Sequence, residues 1–136
     1  MTIHNLETFN QSKPANFDSV FDWDFMLPAF APTKIAPMDF DAVIERFGNF
    51  LVFETKTPGT PVPRGQEITL ESLVSTGNFT VIVLHSKTPD EIQGWAEWHF
   101  STQSNAILKR ARDGNADALV ARVREWFLWA SGRKAA

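Results

Sequence analysis

Asp41, Glu54 and Lys56 are the side chains of this sequence whose types and spacing fit a chemical task. They lie in the stretch 39–56, which reads as two apolar strands around a short turn. Asp39 and Asp41 fall on the first strand, and Glu54-Thr55-Lys56 closes the second. With the turn centred on Phe47-Gly48, paired positions sum to 95, so Asp41 falls opposite Glu54 and Asp39 opposite Lys56. Opposed side chains on antiparallel strands stand about 4.5–5.5 Å apart at Cβ. Two carboxylates at that range repel unless a proton or a cation lies between them. The pairing therefore points to a divalent-metal site with a lysine beside it, which is equipment for hydrolysing phosphodiesters.

Strand periodicity supports the grouping, because residues two apart share a face. Lys56 can then reach the water or phosphate next to a metal held by Glu54. Mg²⁺ prefers oxygen ligands, keeps several waters, and is held by one or two carboxylates plus substrate phosphate. Asp41 and Glu54 meet that requirement, and Lys56 would position the nucleophile and stabilise the pentavalent state. Register decides the matter: a three-residue turn would set Asp41 against Thr55 and disperse the site. The plain alternative is a surface strand that ends in a solvated Glu and Lys.

The elements that must position these residues are readable in outline. Residues 1–16 are polar and read as a loose arm or short helix. Phe17 to Phe30 is aromatic-rich, with Phe17 and Phe21 at helical spacing, until Pro28 and Pro32 break any extension. Thr57-Pro58-Gly59-Thr60-Pro61-Val62-Pro63 is a stiff connecting loop. Arg64–Ser75 reads as a helix ended by Gly77-Asn78, and Phe79–His85 as a strand covered on both faces. Asp90–Phe100 is ambiguous, and Asp117–Ala130 is a second helix with Leu119, Val123, Trp126, Phe127 and Ala130 on one side. The expected fold class is α/β: a single small domain spanning residues 1–136, with a mixed β-sheet and a central β-hairpin flanked by helices.

The stretch Asp41-Ala42-Val43-Ile44, continuing through Gly48-Asn49-Phe50-Leu51-Val52-Phe53-Glu54-Thr55-Lys56, resembles the PD-(D/E)XK nuclease superfamily. That group includes restriction endonucleases, archaeal Holliday-junction resolvases and the small VRR-NUC nucleases of phages. Its pattern is an acid on one strand, an apolar strand ending in (Asp/Glu)-x-Lys, and a helix often carrying a Gln or Lys. The motif likeness covers roughly residues 37–84, and the wider stretch from Phe21 to Val83 looks like small phage-borne members.

The resemblance implies a restriction-endonuclease-like fold and metal-dependent hydrolysis of DNA, by endonuclease or exonuclease action. It implies that Asp41 and Glu54 hold Mg²⁺ or Mn²⁺ with help from the Thr55 carbonyl. Lys56 would activate water, and Gln66 would support from the next helix. It further implies a role in phage DNA processing, recombination or repair, on branched, flapped or single-stranded DNA, with room for a homodimer that cuts both strands. Two departures stand out. The Pro-Asp dipeptide is replaced by Pro37-Met38-Asp39-Phe40-Asp41, so either aspartate can be the motif acid, with Asp41 favoured by cross-strand position. The N-terminal glutamate of many members has no clear counterpart, with Glu7, Asp18, Asp22 and Asp24 competing.

Arg64, Lys109, Arg110 and Arg112, with Arg122 and Arg124, are candidates for a phosphate-tracking surface, and equally for a solvated basic helix face. Residues 1–103 carry 6 Lys/Arg against 13 Asp/Glu, and 104–136 carry 7 against 3, so the net charge of −3 hides a basic tail. Trp95 and Trp98 could stack on unpaired bases, but core packing suits them better. His4, His85 and His99 share no metal-binding spacing, and the absence of cysteine excludes disulfides and thiol chemistry. No signal peptide or membrane-spanning run is visible, so the sequence reads as a soluble cytoplasmic protein, in the host cytoplasm if phage-encoded. The competing function is a catalytically inactive nuclease-fold protein that binds nucleic acid or acts as an inhibitor.

Overall fold

The computed structural model describes residues 21–133. The chain divides into two compact units, Met1–Asp41 and Ala42–Ala136. Glu7, Asp18 and Phe17, with the expected arm at 1–16, lie outside the described residues. In the first unit, Asp24–Phe30 forms a 3₁₀ helix that holds Pro28. Phe21, Trp23 and Phe25 pack ring on ring beside it, with centroids 4.8 Å apart for Phe21–Trp23 and 6.2 Å for Trp23–Phe25.

The second unit is a small α/β domain. Strand β1 (Ala42–Arg46) and strand β2 (Asn49–Thr55) form the expected hairpin. Phe47 and Gly48 both have positive φ, 52° and 81°. That pair of left-handed residues makes a type I′ link, which matches the twist of flanking strands. Pairing runs from Ala42↔Phe53 to Arg46↔Asn49, so every pair sums to 95. Asp39 and Asp41 precede β1 rather than lying on it.

Helix α1 (Arg64–Val74) follows β2, then strand β3 (Phe79–Leu84) pairs with β2 in parallel. Pro63 precedes the helix, and Gly77, at φ 87°, donates its N–H to the Val74 carbonyl to end it. Strand β4 (Gly94–Ser101) and strand β5 (Ala106–Asp113) then extend the sheet by antiparallel pairing. Helix α2 (Ala116–Ser131) closes the unit, its first turn capped by the Asn115 side chain.

The sheet order is β1-β2-β3-β4-β5. The hairpin expected at the centre therefore forms one edge, because β3 pairs only with the inner side of β2 and further strands add beyond it. The ambiguous stretch 90–100 resolves into a short 3₁₀ turn at Pro89–Glu91 and strand β4. Its polar–apolar alternation is weak because both faces are covered: Trp95 and Trp98 point to opposite sides and are both buried. Lys109, Arg110 and Arg112 lie on strand β5, not on a helix.

Two cores form, one on each face of the sheet. Val52, Val81, Val83 and Trp98 pack with Leu70 and Val74 of α1. Leu51, Ile82, Leu84, Ile92 and Trp95 pack with Leu119, Trp126 and Ala130 of α2. The unbroken apolar run of β3 follows directly, since its odd and even residues enter different cores. No described helix is long and apolar enough to cross a membrane.

Candidate active site around Glu54

Alternation along β2 decides where Glu54 goes. It follows Val52 by two residues and so points to the α1 side, next to its β3 partner Val83. Glu54 is 2% exposed, which is rare for a carboxylate unless polar groups meet it. Two do. Gln66, in the first turn of α1, donates from Nε2 to Glu54 Oε2 at 2.9 Å. Lys56 Nζ stands 3.9 Å from the same oxygen, with its side chain 20% exposed. Two of the residues expected to act with Glu54 thus converge on one of its carboxylate oxygens. Gln66 Oε1 is buried without a hydrogen-bond partner among the described residues, so its amide is held from one end.

Helix α1 contributes more than Gln66. Its N-terminal turn stands over Glu54, and the positive end of a helix favours a carboxylate. The Lys56 backbone N–H donates to the Leu84 carbonyl at 2.8 Å, which anchors the strand just past the site. Thr55 lies between the two charged residues, is exposed, and pairs with Leu84. The paired register begins at Ala42↔Phe53, one residue after Asp41 and one before Glu54. Asp39 is exposed.

The basic candidates are distributed differently. Arg64 is exposed and forms ion pairs with Glu67 and, at 3.1 Å, with Glu71. Lys109 reaches the same two carboxylates at 3.3 and 3.5 Å and lies over the Trp98 ring at 4.0 Å. The Arg64 hydrogen bond and then that of Lys109 hold the Glu67 carboxyl below the usual glutamate range. Arg110 and Arg112 point to the other face of the sheet from Lys109, because strand neighbours alternate. The four do not form one continuous basic surface.

On that other face sits a second buried acid. Glu97 is 2% exposed and accepts from Trp95 Nε1 at 3.0 Å and Arg122 Nε at 2.9 Å, both at Oε1. Arg112 stands 3.6 Å from its other oxygen. Burial alone would raise its pKa; the Trp95 and Arg122 hydrogen bonds and the arginine charges outweigh it and lower the pKa. Sequence reasoning passed over this cluster. The available signal was Trp95-x-Glu97 on a strand, which puts both side chains on one face.

Among the described residues no group of three or more His, Cys, Asp or Glu gathers in a way that could hold a metal ion. A Mg²⁺ ion held by one or two carboxylates plus waters and phosphate does not need three such groups. Compared with protein-family models, with curated proteins and with solved structures, the chain gives no match.

Proposed function

We propose that this protein is a metal-dependent nuclease of the PD-(D/E)XK type that hydrolyses DNA phosphodiesters at Glu54. The observation that carries this reading is the meeting of Lys56 and Gln66 on Oε2 of a buried Glu54. Glu54 and Asp41 would hold Mg²⁺ or Mn²⁺, with the Thr55 carbonyl assisting; such an ion, when bound, supplies a water of lowered pKa and offsets phosphate charge.

The chain's own groups do the rest. Gln66 fixes the orientation of Glu54 through its amide N–H. Lys56, tethered beside that carboxylate and still partly open to solvent, orients the attacking water and stabilises the charge of the pentavalent phosphorane. The water oxygen forms the new bond to phosphorus as its proton passes to solvent, the P–O bond to the leaving strand breaks, and the leaving oxygen takes up a proton from solvent. Packing of Val52, Val83, Leu70 and Trp98 beneath the site keeps it rigid.

A second reading is a nuclease-fold protein that binds nucleic acid or inhibits a partner without cutting. It is favoured by the absence of a third acid among the described residues and by the arginine and lysine side chains already engaged by Glu67 and Glu71. A cleavage assay on labelled single-stranded, duplex, flapped and four-way-junction DNA separates the two. Cutting that needs Mn²⁺ or Mg²⁺, stops in EDTA and is lost in Lys56→Ala supports the nuclease. No cutting by a folded protein that binds Mn²⁺ supports the second reading.

A further inference from the structure

The opposite face of the sheet carries a cleft of about 500 Å³ that the reading of Glu54 does not use. It lies between β3–β4 and the C-terminal half of α2, and its walls include His99, Glu97, Arg122, Trp126, Trp129 and Arg133. The volume falls within the range of small-molecule sites, which combine apolar and aromatic walls with a few converging polar groups.

Each kind of group is present here. Trp129 is 44% exposed, and the Arg133 guanidinium lies over one face of its ring, 5.0 Å from the centroid, which leaves the other face for a ligand. Trp126 is 5% exposed, and its indole N–H is buried without a hydrogen-bond partner among the described residues. Arg133 has no carboxylate within ion-pair distance among the described residues, whereas Arg122 is shared between Glu97 and Glu125. Two carboxylates line the cleft: Glu97 is met by Arg112 and Arg122, and Glu125 by Arg122 at 3.4 Å, so with Arg133 the arginines outnumber the acids. His99 reflects that field: burial first, then Arg110, lower its pKa against the opposing pull of Glu97, with Arg122 and Arg112 adding to the fall.

We propose that this cleft binds a small planar anion, a ring that bears a phosphate, of the mononucleotide class. The ring would lie on Trp129, where a flat aromatic body is accepted face to face. The phosphate would meet Arg133, whose planar fork suits phosphate oxygens, with Arg122 alongside held by Glu97 and Glu125. His99 would serve as a hydrogen-bonding wall. The site is separate from Glu54, being on the other side of the sheet, and stands whether or not the protein cuts DNA.

The test is a titration of the ¹⁵N-labelled full-length protein with AMP, followed at the five tryptophan indole N–H signals, with adenosine and inorganic phosphate as separate arms. AMP should shift the Trp126 and Trp129 signals in a saturable way while Trp98, in the core on the α1 side, stays still. Adenosine and phosphate alone should each bind at least tenfold more weakly. Trp129→Ala and Arg133→Ala, both at exposed positions, should each weaken AMP at least tenfold with the remaining spectrum unchanged. No saturable shift at millimolar AMP, equal binding of adenosine, equal binding of phosphate, or shifts that survive both substitutions would each overturn the proposal.

Discussion

Arg122 ties helix α2 to strand β4 through Glu97: its Nε donates to Glu97 Oε1 across 2.9 Å, inside a sheet face where that carboxylate is almost fully buried. Removing one partner of a buried pair leaves an uncompensated charge, at a cost of about 3–5 kcal/mol. Arg112 remains near Glu97, and Arg122 is itself partly exposed. Arg122→Ala should therefore destabilise by about 2 kcal/mol, below that range. Urea unfolding at neutral pH measures it, and a change under a few tenths would mean that Arg112 and Trp95 suffice.

Acid should act on the same pair. The Glu97 pKa is lower in the folded protein than in the unfolded chain, burial being outweighed by the Trp95 and Arg122 hydrogen bonds. The unfolded state then binds more protons as pH falls below the ordinary glutamate range, so the stability from Glu97 is complete above that range and lost on further acidification. Glu97→Gln should flatten this part of the stability–pH curve, as read from urea midpoints between neutral pH and pH 3. An unchanged acid slope would place the loss elsewhere, with Glu67 the next candidate.

His99 titrates with the opposite chemistry but the same direction of effect. Its pKa is lowered by burial and then by Arg110, so the folded state takes up a proton less readily than the unfolded chain. Stability should fall as pH drops through the ordinary histidine range and level off below the folded value. His99→Gln should remove that step. Thermal melts at half-unit intervals from pH 8 to pH 5 would show it.

At the candidate active site, Lys56→Ala should lower cleavage by at least about 100-fold, the scale for losing one charge-stabilising group. Gln66→Ala removes a hydrogen bond to a buried carboxylate, worth about 1.5–3 kcal/mol. It should cost stability of that order and slow cleavage less than Lys56→Ala does. Single-turnover rates with urea melts on the same samples would check both; equal rate losses would make Gln66 more than a positioning residue.

Asp41 is tested through metal affinity rather than rate. Mn²⁺ at about 100 times its dissociation constant should stabilise the wild type by about 2.7 kcal/mol. Asp41→Asn should reduce that gain sharply. Asp39→Asn should leave the gain intact. If the two substitutions exchange behaviour, Asp39 is the ligand.

Gly94 offers a test of the fold alone. A Cβ there would meet the Arg112 carbonyl oxygen at 2.6 Å, and backbone of a paired strand cannot step aside as a side chain can. Gly94→Ala should cost about 1–3 kcal/mol, the usual cost of forced overpacking. A chemical-denaturation midpoint unchanged from wild type would show that the β4–β5 ladder gives way there.

The parts readable in the sequence are those set by local rules. A turn centred on Phe47-Gly48 gave the observed register, and alternation put Glu54 and Lys56 on one face, whereas Gln66 was expected beside them only from the family resemblance. Helix limits followed from Pro63 and Gly77. Less readable were features decided by long-range pairing. Nothing local says that the hairpin forms the sheet edge, since that depends on which side of β2 accepts β3. Strand β4 hides because both of its faces are buried. The Lys109–Arg112 run carries no polarity pattern of a strand, because Lys109 covers Trp98 while Arg112 turns to Glu97. Glu97 itself needed Arg122, 25 residues away, to be recognisable.

The tight link at Phe47-Gly48 has a genetic consequence. It acts as a length gauge: Asp41 stands six residues before Phe47, roughly 20 Å along an extended strand, yet a single residue inserted at the tip would slide one strand past the other. Every side chain of β1 would then face a different partner across the ladder, although none of them had been altered. Insertions or deletions at this bend should therefore disturb the whole β1–β2 edge of the sheet, whereas changes of residue type that tolerate a positive φ should be silent.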